Sequence, residues 1–193
     1  MKTRVRCACW MVTAFLTASL LVYPAFAAST FPDVDASEEY AEAIEYLNSV
    51  GIMVGDDQGN FNPDKPVSRA EMATIICRLL GKTENLPTSA QFTDVPVSHW
   101  ANGYISKAAE LGVVDGYGNK KFGPSDTVKY EDALTMIVRA MGQTEYALEL
   151  GGYPDGFMIA ATELGYTNWI SAEAGDFLTR WQVAIITSNA LIY

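Results

Sequence analysis

Two arginines stand where helix physics does not ask for a cation. In "VSRAEMATII" (Val67–Ile76) and "LTRWQVAIIT" (Leu178–Thr187), Arg69 and Arg180 each fall in the first turn of a predicted helix. The macrodipole favours an acid there by about 0.3–1 kcal/mol. Their neighbours have a local purpose. Ser68 and Glu71 form S-x-x-E, a capping box in which each side chain serves the other residue's backbone N–H. Thr179 and Gln182 repeat it as T-x-x-Q. Losing such a cap costs about 0.5–2 kcal/mol. The arginines are left over, and two chemistries suit them: a ligand carrying negative charge, or a salt bridge to a neighbouring repeat. A guanidinium fork matches a carboxylate bidentately, and such a contact is worth about 1.5–3 kcal/mol.

Other chemistry-bearing patterns lead nowhere. "GKT" (Gly81–Thr83) lacks the earlier glycine of a phosphate-binding loop, where Ile76 stands instead. "DDQGNF" (Asp56–Phe61) has calcium-loop composition without the EF-hand spacing or its terminal glutamate. His99 is the sole histidine, so a His-based metal cluster is excluded and a capping or packing role beside Trp100 is expected. There is no G-x-S-x-G elbow, and nothing sets two carboxylates across a substrate. The expectation is a non-enzyme with no metal and no cofactor.

The elements that must carry the arginines repeat. A shift of 61 positions superposes Phe31-Pro-Asp33-Val34 on Phe92-Thr-Asp94-Val95, and pairs Ile44 with Ile105, Gly51 with Gly112 and Gly55 with Gly116. The same shift pairs Phe61 with Phe122, Pro63 with Pro124, Val67 with Val128 and Arg78 with Arg139. A weaker third copy is visible where "YISKAAELG" (Tyr104–Gly112) resembles "FMIAATELG" (Phe157–Gly165). Each copy reads as an amphipathic helix (Tyr40, Ile44 and Leu47 on one face), a Gly/Asp/Asn-rich loop and a second helix with Met72, Ile75, Ile76 and Leu79 inward. The helix before the loop stops at Gly51, which suits a left-handed cap. One such unit buries too little alone, so the copies must pack together.

The predicted organisation is a signal peptide over 1–27, repeats over 28–81, 92–142 and 146–193, and linkers over 82–91 and 143–145, with "QTEYALEL" (Gln143–Leu150) linker-like in composition. Lys2, Arg4 and Arg6, the apolar run Ala8–Val22 and Pro24-Ala25-Phe26-Ala27 specify secretion with cleavage after Ala27 or Ala28. The run is short for the alternative, a transmembrane anchor, so no membrane attachment is expected after cleavage. Without residues 1–27 the chain keeps 10 Lys/Arg against 23 Asp/Glu, a formal net charge of −13. That acidity argues against nucleic acid, whose phosphates need a basic face. Cys77 is then the sole cysteine, a small core residue that excludes an intramolecular disulfide.

The combination F-x-D-V, an aromatic before an A-I helix, G-I-x-x-G, F-x-P and S/T-R-A-E resembles the S-layer homology (SLH) repeat, and it does so over nearly the whole secreted chain. The third copy, with "GGYPDGFMIAATELG" and "TRWQ", resembles the divergent last repeat of such triplets. The resemblance implies an all-α fold, a pseudo-threefold bundle of three helix–loop–helix repeats. It also implies a secreted module bound non-covalently to the secondary cell wall polysaccharide of a Gram-positive envelope, in grooves between repeats, with the motif arginine on a pyruvate carboxylate. On that basis Arg69 and Arg180 are ligand-binding candidates, with Ser68 and Thr179 beside them.

The second copy departs: Lys129, Tyr130 and Asp132 replace Ser/Thr, Arg and Glu, so at most two grooves carry the arginine and Lys129 is left to reach an anion. Trp100 and Tyr153 stand at the family's aromatic position, as a platform for a sugar face or as core; Tyr40 is shifted by one residue in the first copy. Asp33 and Asp94 are expected to fasten the opening turn, and Gly55 and Gly116 to serve loop geometry. An envelope scaffold with a protein partner, tolerant of arginine loss and showing an apolar patch, is the alternative from another class; a peptidoglycan-binding variant is a third. With nothing after the third repeat, a truncated or stand-alone module is expected.

Overall fold

The computed structural model describes residues 29–192. The signal-peptide segment lies outside them. Among the described residues there are seven helices and no strands: α1 (Ala41–Ser49), α2 (Arg69–Leu79), α3 (Asn102–Glu110), α4 (Tyr130–Ala140), α5 (Thr144–Glu149), α6 (Asp155–Glu163) and α7 (Arg180–Ile192). The fold is all-α. No helix among them is long and apolar enough to cross a membrane.

A ring of backbone hydrogen bonds ties the three copies together. The Val67 N–H donates to the Leu178 carbonyl (3.0 Å), Leu178 to Val128 (3.3 Å), and Val128 back to Val67 (2.8 Å). All three side chains are fully buried. A second layer repeats the circuit, from Arg69 N–H to Asp126 (2.8 Å), Tyr130 to Asp176 (2.8 Å) and Arg180 to Lys65 (3.0 Å). These bonds satisfy helix N-terminal donors that would otherwise lack partners. They also mark a pseudo-threefold axis.

Apart from the short α5, the helices then pair between copies rather than within them. α2 packs on α3, α4 on α6, and α7 returns to α1. The ring of repeats therefore closes on itself, and one core runs through Ile44, Leu47, Met72, Ile76, Ile105, Leu134, Ile137, Phe157 and Ile186. Each such side chain contributes about 1.5–3 kcal/mol on burial.

The F-x-D-V motif acquires a physical reading. Phe31 packs on Phe61 (centroids 5.4 Å) and Phe92 on Phe122 (5.3 Å). Asp33 accepts from the Phe61 and Asn62 N–H groups (2.8 and 2.6 Å), and Asp94 from those of Phe122 and Gly123 (2.9 and 2.8 Å). Each aspartate thus pins its own repeat's loop to the repeat's beginning. Gly51 ends α1 at φ +74, a conformation a side chain resists. At Gly55 and Gly116 space decides instead, since a Cβ would collide with the Phe31 or Phe92 ring.

The stretch 143–150 corrects the sequence reading. It is no linker: Thr144–Glu149 forms α5, which buries Ala147 and packs on α6 and α4. Residues 82–91 are irregular, and Leu86 lies over Gly103. Cys77 is fully buried, and burial pushes its thiol up to about 11.

Candidate functional site: the arginine positions between repeats

Arg69 and Arg180 take the same pose. Each leaves the first turn of its helix and reaches into the next repeat's loop. The Nε–H of Arg69 donates to the Phe122 carbonyl (3.0 Å) and Nη2 to the Asp115 carbonyl (2.9 Å). For Arg180 the acceptors are the matching carbonyls of Phe61 (2.7 Å) and Val54 (2.9 Å). Each guanidinium also lies over an aromatic ring, Arg180 at 4.5 Å from the Phe61 centroid and Arg69 at 4.5 Å from Tyr117 and 4.9 Å from Phe122. The carbonyls and rings offset the unfavourable position in the dipole field.

The remaining nitrogen differs. Nη1 of Arg69 meets Asp132 Oδ2 at 3.3 Å, and the residue is only 3% exposed. The salt bridge to a neighbouring repeat is therefore present at Arg69. Among the described residues Arg180 forms no ion pair, and its Nη1 has no hydrogen-bond partner. Burial holds Arg180 below the ordinary arginine range, and the nearby charge of Arg78 acts in the same direction, against the carboxylates of Glu71 and Asp56.

Those two carboxylates are engaged elsewhere. Glu71 completes the capping box, accepting from the Ser68 N–H (2.8 Å) and hydroxyl (2.9 Å), while Lys65 Nζ holds its other oxygen at 2.9 Å. Asp56 accepts from the Gln58 and Asn60 N–H groups (2.9 and 3.0 Å) and from Asn62 Nδ2 (2.8 Å). Arg78 has a carbonyl, that of Ile52 (3.4 Å), rather than an acid. Thr179 sits beside Arg180 with both its N–H (2.9 Å) and hydroxyl (3.1 Å) on Gln182 Oε1.

The Arg69 groove, a cavity of about 860 Å³, gathers Lys129 and Tyr153 with Arg69. Every cation in it has an acid: Arg139 with Asp115 (2.5 Å), Lys129 with Glu131 (4.0 Å) and Arg69 with Asp132. Lys129 precedes α4 without a side-chain cap bond. The Tyr153 hydroxyl donates to Asp132 Oδ1 (3.1 Å). Burial first, then the Asp132 charge, pushes the Tyr153 phenol up to about 12.

The third groove is different again. Tyr130 occupies the arginine position and is buried, and the cavity beside it (about 570 Å³) is lined by Met158, Ile159, Ala172, Glu163 and Glu173 with no cation.

Trp100 does not join the Arg69 groove. It stands before α3, the helix packed on α2, as Tyr153 stands before α6 on α4, and its ring is 61% exposed and stacked on His99. His99 Nδ1 accepts from the Ala101 N–H (3.1 Å). Tyr40, in contrast, stacks on Trp181 (5.4 Å). Sequence reasoning missed Asp115, Tyr117, Arg139 and Phe177 around Arg69. The Arg78/Arg139 match at 61 positions was the one available signal. No metal-ligating cluster occurs among the described residues.

Comparison with known proteins places this geometry. Residues 30–73 and 91–134 match the S-layer homology domain. The chain is 36% identical over 172 residues, 86% of its length, to a cell surface protein of Thermoanaerobacter kivui, of which it spans 22%. It is 32% identical, again over 86% of its length, to the middle cell wall protein of Brevibacillus brevis, spanning 16% of it. Over 58% of its length it is 33% identical to a cellulosome-anchoring protein of Acetivibrio thermocellus, spanning 26% of it. The chain thus corresponds to a minor part of each of these relatives, and its similarity to the S-layer homology domain lies in residues 30–73 and 91–134.

Proposed function

We propose that the chain is a secreted cell-wall anchoring module, three S-layer homology repeats with the third divergent, that holds an anionic and pyruvylated secondary wall polysaccharide. It binds and does not catalyse. The observation that carries this reading is Arg180: a half-buried guanidinium fixed by two carbonyls and a ring, with one nitrogen unpartnered and no acid paired to it among the described residues. A pyruvate carboxylate supplies the missing charge and acceptor. Thr179 and Gln182 shape the helix start beside it, and Trp100 offers an exposed ring as a sugar platform. The names of the relatives, one of them cellulosome-anchoring, support attachment to the envelope.

The acidity of the chain opposes long-range attraction to an anionic polymer. At physiological salt the Debye length is about 8 Å, so remote acids are screened and association is slow rather than forbidden.

One observation favours a second reading, a protein-interaction scaffold. Trp169 (80% exposed), Ile192 and Tyr46 expose an apolar patch between α1 and α7, beside Glu39 and Glu42. Co-sedimentation separates the two. The polymer reading expects pelleting with intact walls, little with walls stripped of secondary polymer, and loss in Arg180→Ala. Equal pelleting of Arg180→Ala, sensitive instead to Trp169→Ala, refutes it in favour of the scaffold.

A further inference from the structure

We propose that the Arg69 groove is a second saccharide site of a different chemistry, taking an uncharged sugar and refusing a carboxylate, and that Asp132 sets this preference; the contrast rests on the reading of Arg180 as the carboxylate site.

The refusal follows from occupancy. Nε and Nη2 of Arg69 are bound to the Phe122 and Asp115 carbonyls, and Nη1 to Asp132. Asp132 already stands where a ligand carboxylate would sit. Lys129 and Arg139 are paired as well, and Asp115, Asp126 and Asp132 all line the cavity. An incoming carboxylate would have to displace Asp132 or lie beside it, and like charges at such range disfavour one another.

The acceptance follows from what remains free. Tyr117, Tyr153 and Phe177 line the groove and are 58%, 57% and 60% exposed. They come from the second-repeat loop, the turn before α6 and the segment before α7, so the repeat packing brings them together. Exposed rings offer apolar faces that the C–H face of a pyranose can cover. The carboxylates of Asp115, Asp126 and Asp132 can accept from the sugar's hydroxyls. An open cavity of about 860 Å³ with aromatic faces and a few polar groups has the dimensions and lining of a small-ligand site. The hydrogen bond from Tyr153 to Asp132 (3.1 Å) fixes ring and carboxylate together, so one contact both excludes the anion and presents the platform. The third groove has no such set, because Tyr130 is buried there.

Isotope-labelled protein and a carboxylate-bearing wall oligosaccharide test this, before and after chemical reduction of the sugar carboxylates to alcohols. The reduced oligosaccharide should shift the ring resonances of Tyr117, Tyr153 and Phe177 and leave the Arg180 Nε–H unmoved. Tyr153→Ala combined with Phe177→Ala should weaken that binding at least tenfold, whereas Tyr153→Phe, which keeps the ring, should retain it. Asp132→Ala should let the unreduced oligosaccharide shift the Arg69 Nε–H, which is silent in the wild type. Rings unmoved by the reduced sugar, or a wild-type Arg69 that answers the carboxylate as Arg180 does, overturns the proposal. Rings that respond while Arg180 ignores the carboxylate refute the anion-site reading instead.

Discussion

The Arg180 and Arg69 sites share a guanidinium pose over a ring and a pair of matching carbonyl acceptors, yet they differ in charge balance. The difference traces to the third residue after the cap. In the first repeat Glu71 folds back to Ser68 and Lys65, which leaves Arg180 without an acid. In the second repeat Asp132 is one methylene shorter and follows Lys129, which cannot accept a hydrogen bond; it makes no return bond and turns to Arg69. A capping box thus does more than start a helix. By occupying its own carboxylate it keeps that acid from pairing with the neighbouring repeat's arginine.

The largest expected effect separates the two arginines by stability. Arg69→Ala leaves two carbonyls unsatisfied and removes the cation from the partly exposed Asp132, so its cost should exceed that of losing the carbonyl contacts alone. Arg180→Ala leaves no acid stranded, and its cost should stay near the 1–3 kcal/mol of unsatisfied carbonyls. Urea unfolding of both variants checks this, and equal losses would remove the distinction.

Next in size, Ser68→Ala should cost about 0.5–2 kcal/mol of stability. It should also weaken wall binding, because a released Glu71 can turn to Arg180 and make that groove resemble its partner. Measuring both quantities on one variant sharpens the comparison; a loss of stability with unchanged wall affinity would uncouple cap from groove.

Acid should act through the same carboxylate. Burial pushes Glu71 up, but the hydrogen bonds from Ser68 and Lys65 bring it below its ordinary 4.5. A depressed carboxyl adds stability that is present above the unfolded value and lost as pH falls through the folded one. Stability should therefore decline below about pH 4.5, and Glu71→Gln should remove part of that decline, as read from unfolding midpoints across pH 3–7.

The smallest effect is a control on the shared core. With its thiol pushed up to about 11 by burial, Cys77 should resist alkylation at pH 8 in the native protein and react on unfolding.

Much of the architecture was legible because the repeating residues do repeating work. Phe31 and Phe61 match Phe92 and Phe122 since each pair is one contact, and Gly51 and Gly112 close equivalent helices at positive φ. The short helix α5 was not legible. Its polar sequence reads as a linker, and only Ala147 is buried against its neighbours. The arginines stood out as anomalies, but their fates did not. Asp132 lies 63 positions from Arg69, and nearest-neighbour logic assigns an acid there to its own helix. The third repeat hides its groove for a similar reason, since Tyr130 gives no hint of the acidic, cation-free cavity beside it.

The most direct test of the account is calorimetric titration of the protein with a carboxylated wall oligosaccharide, in wild type, Arg180→Ala and Asp132→Ala. The account predicts one carboxylate-dependent site per chain, weakened about ten- to a hundredfold by Arg180→Ala, as expected for 1.5–3 kcal/mol of charge-assisted bonding. It predicts two such sites in Asp132→Ala. Two equal sites in the wild type, or full affinity without Arg180, would contradict it.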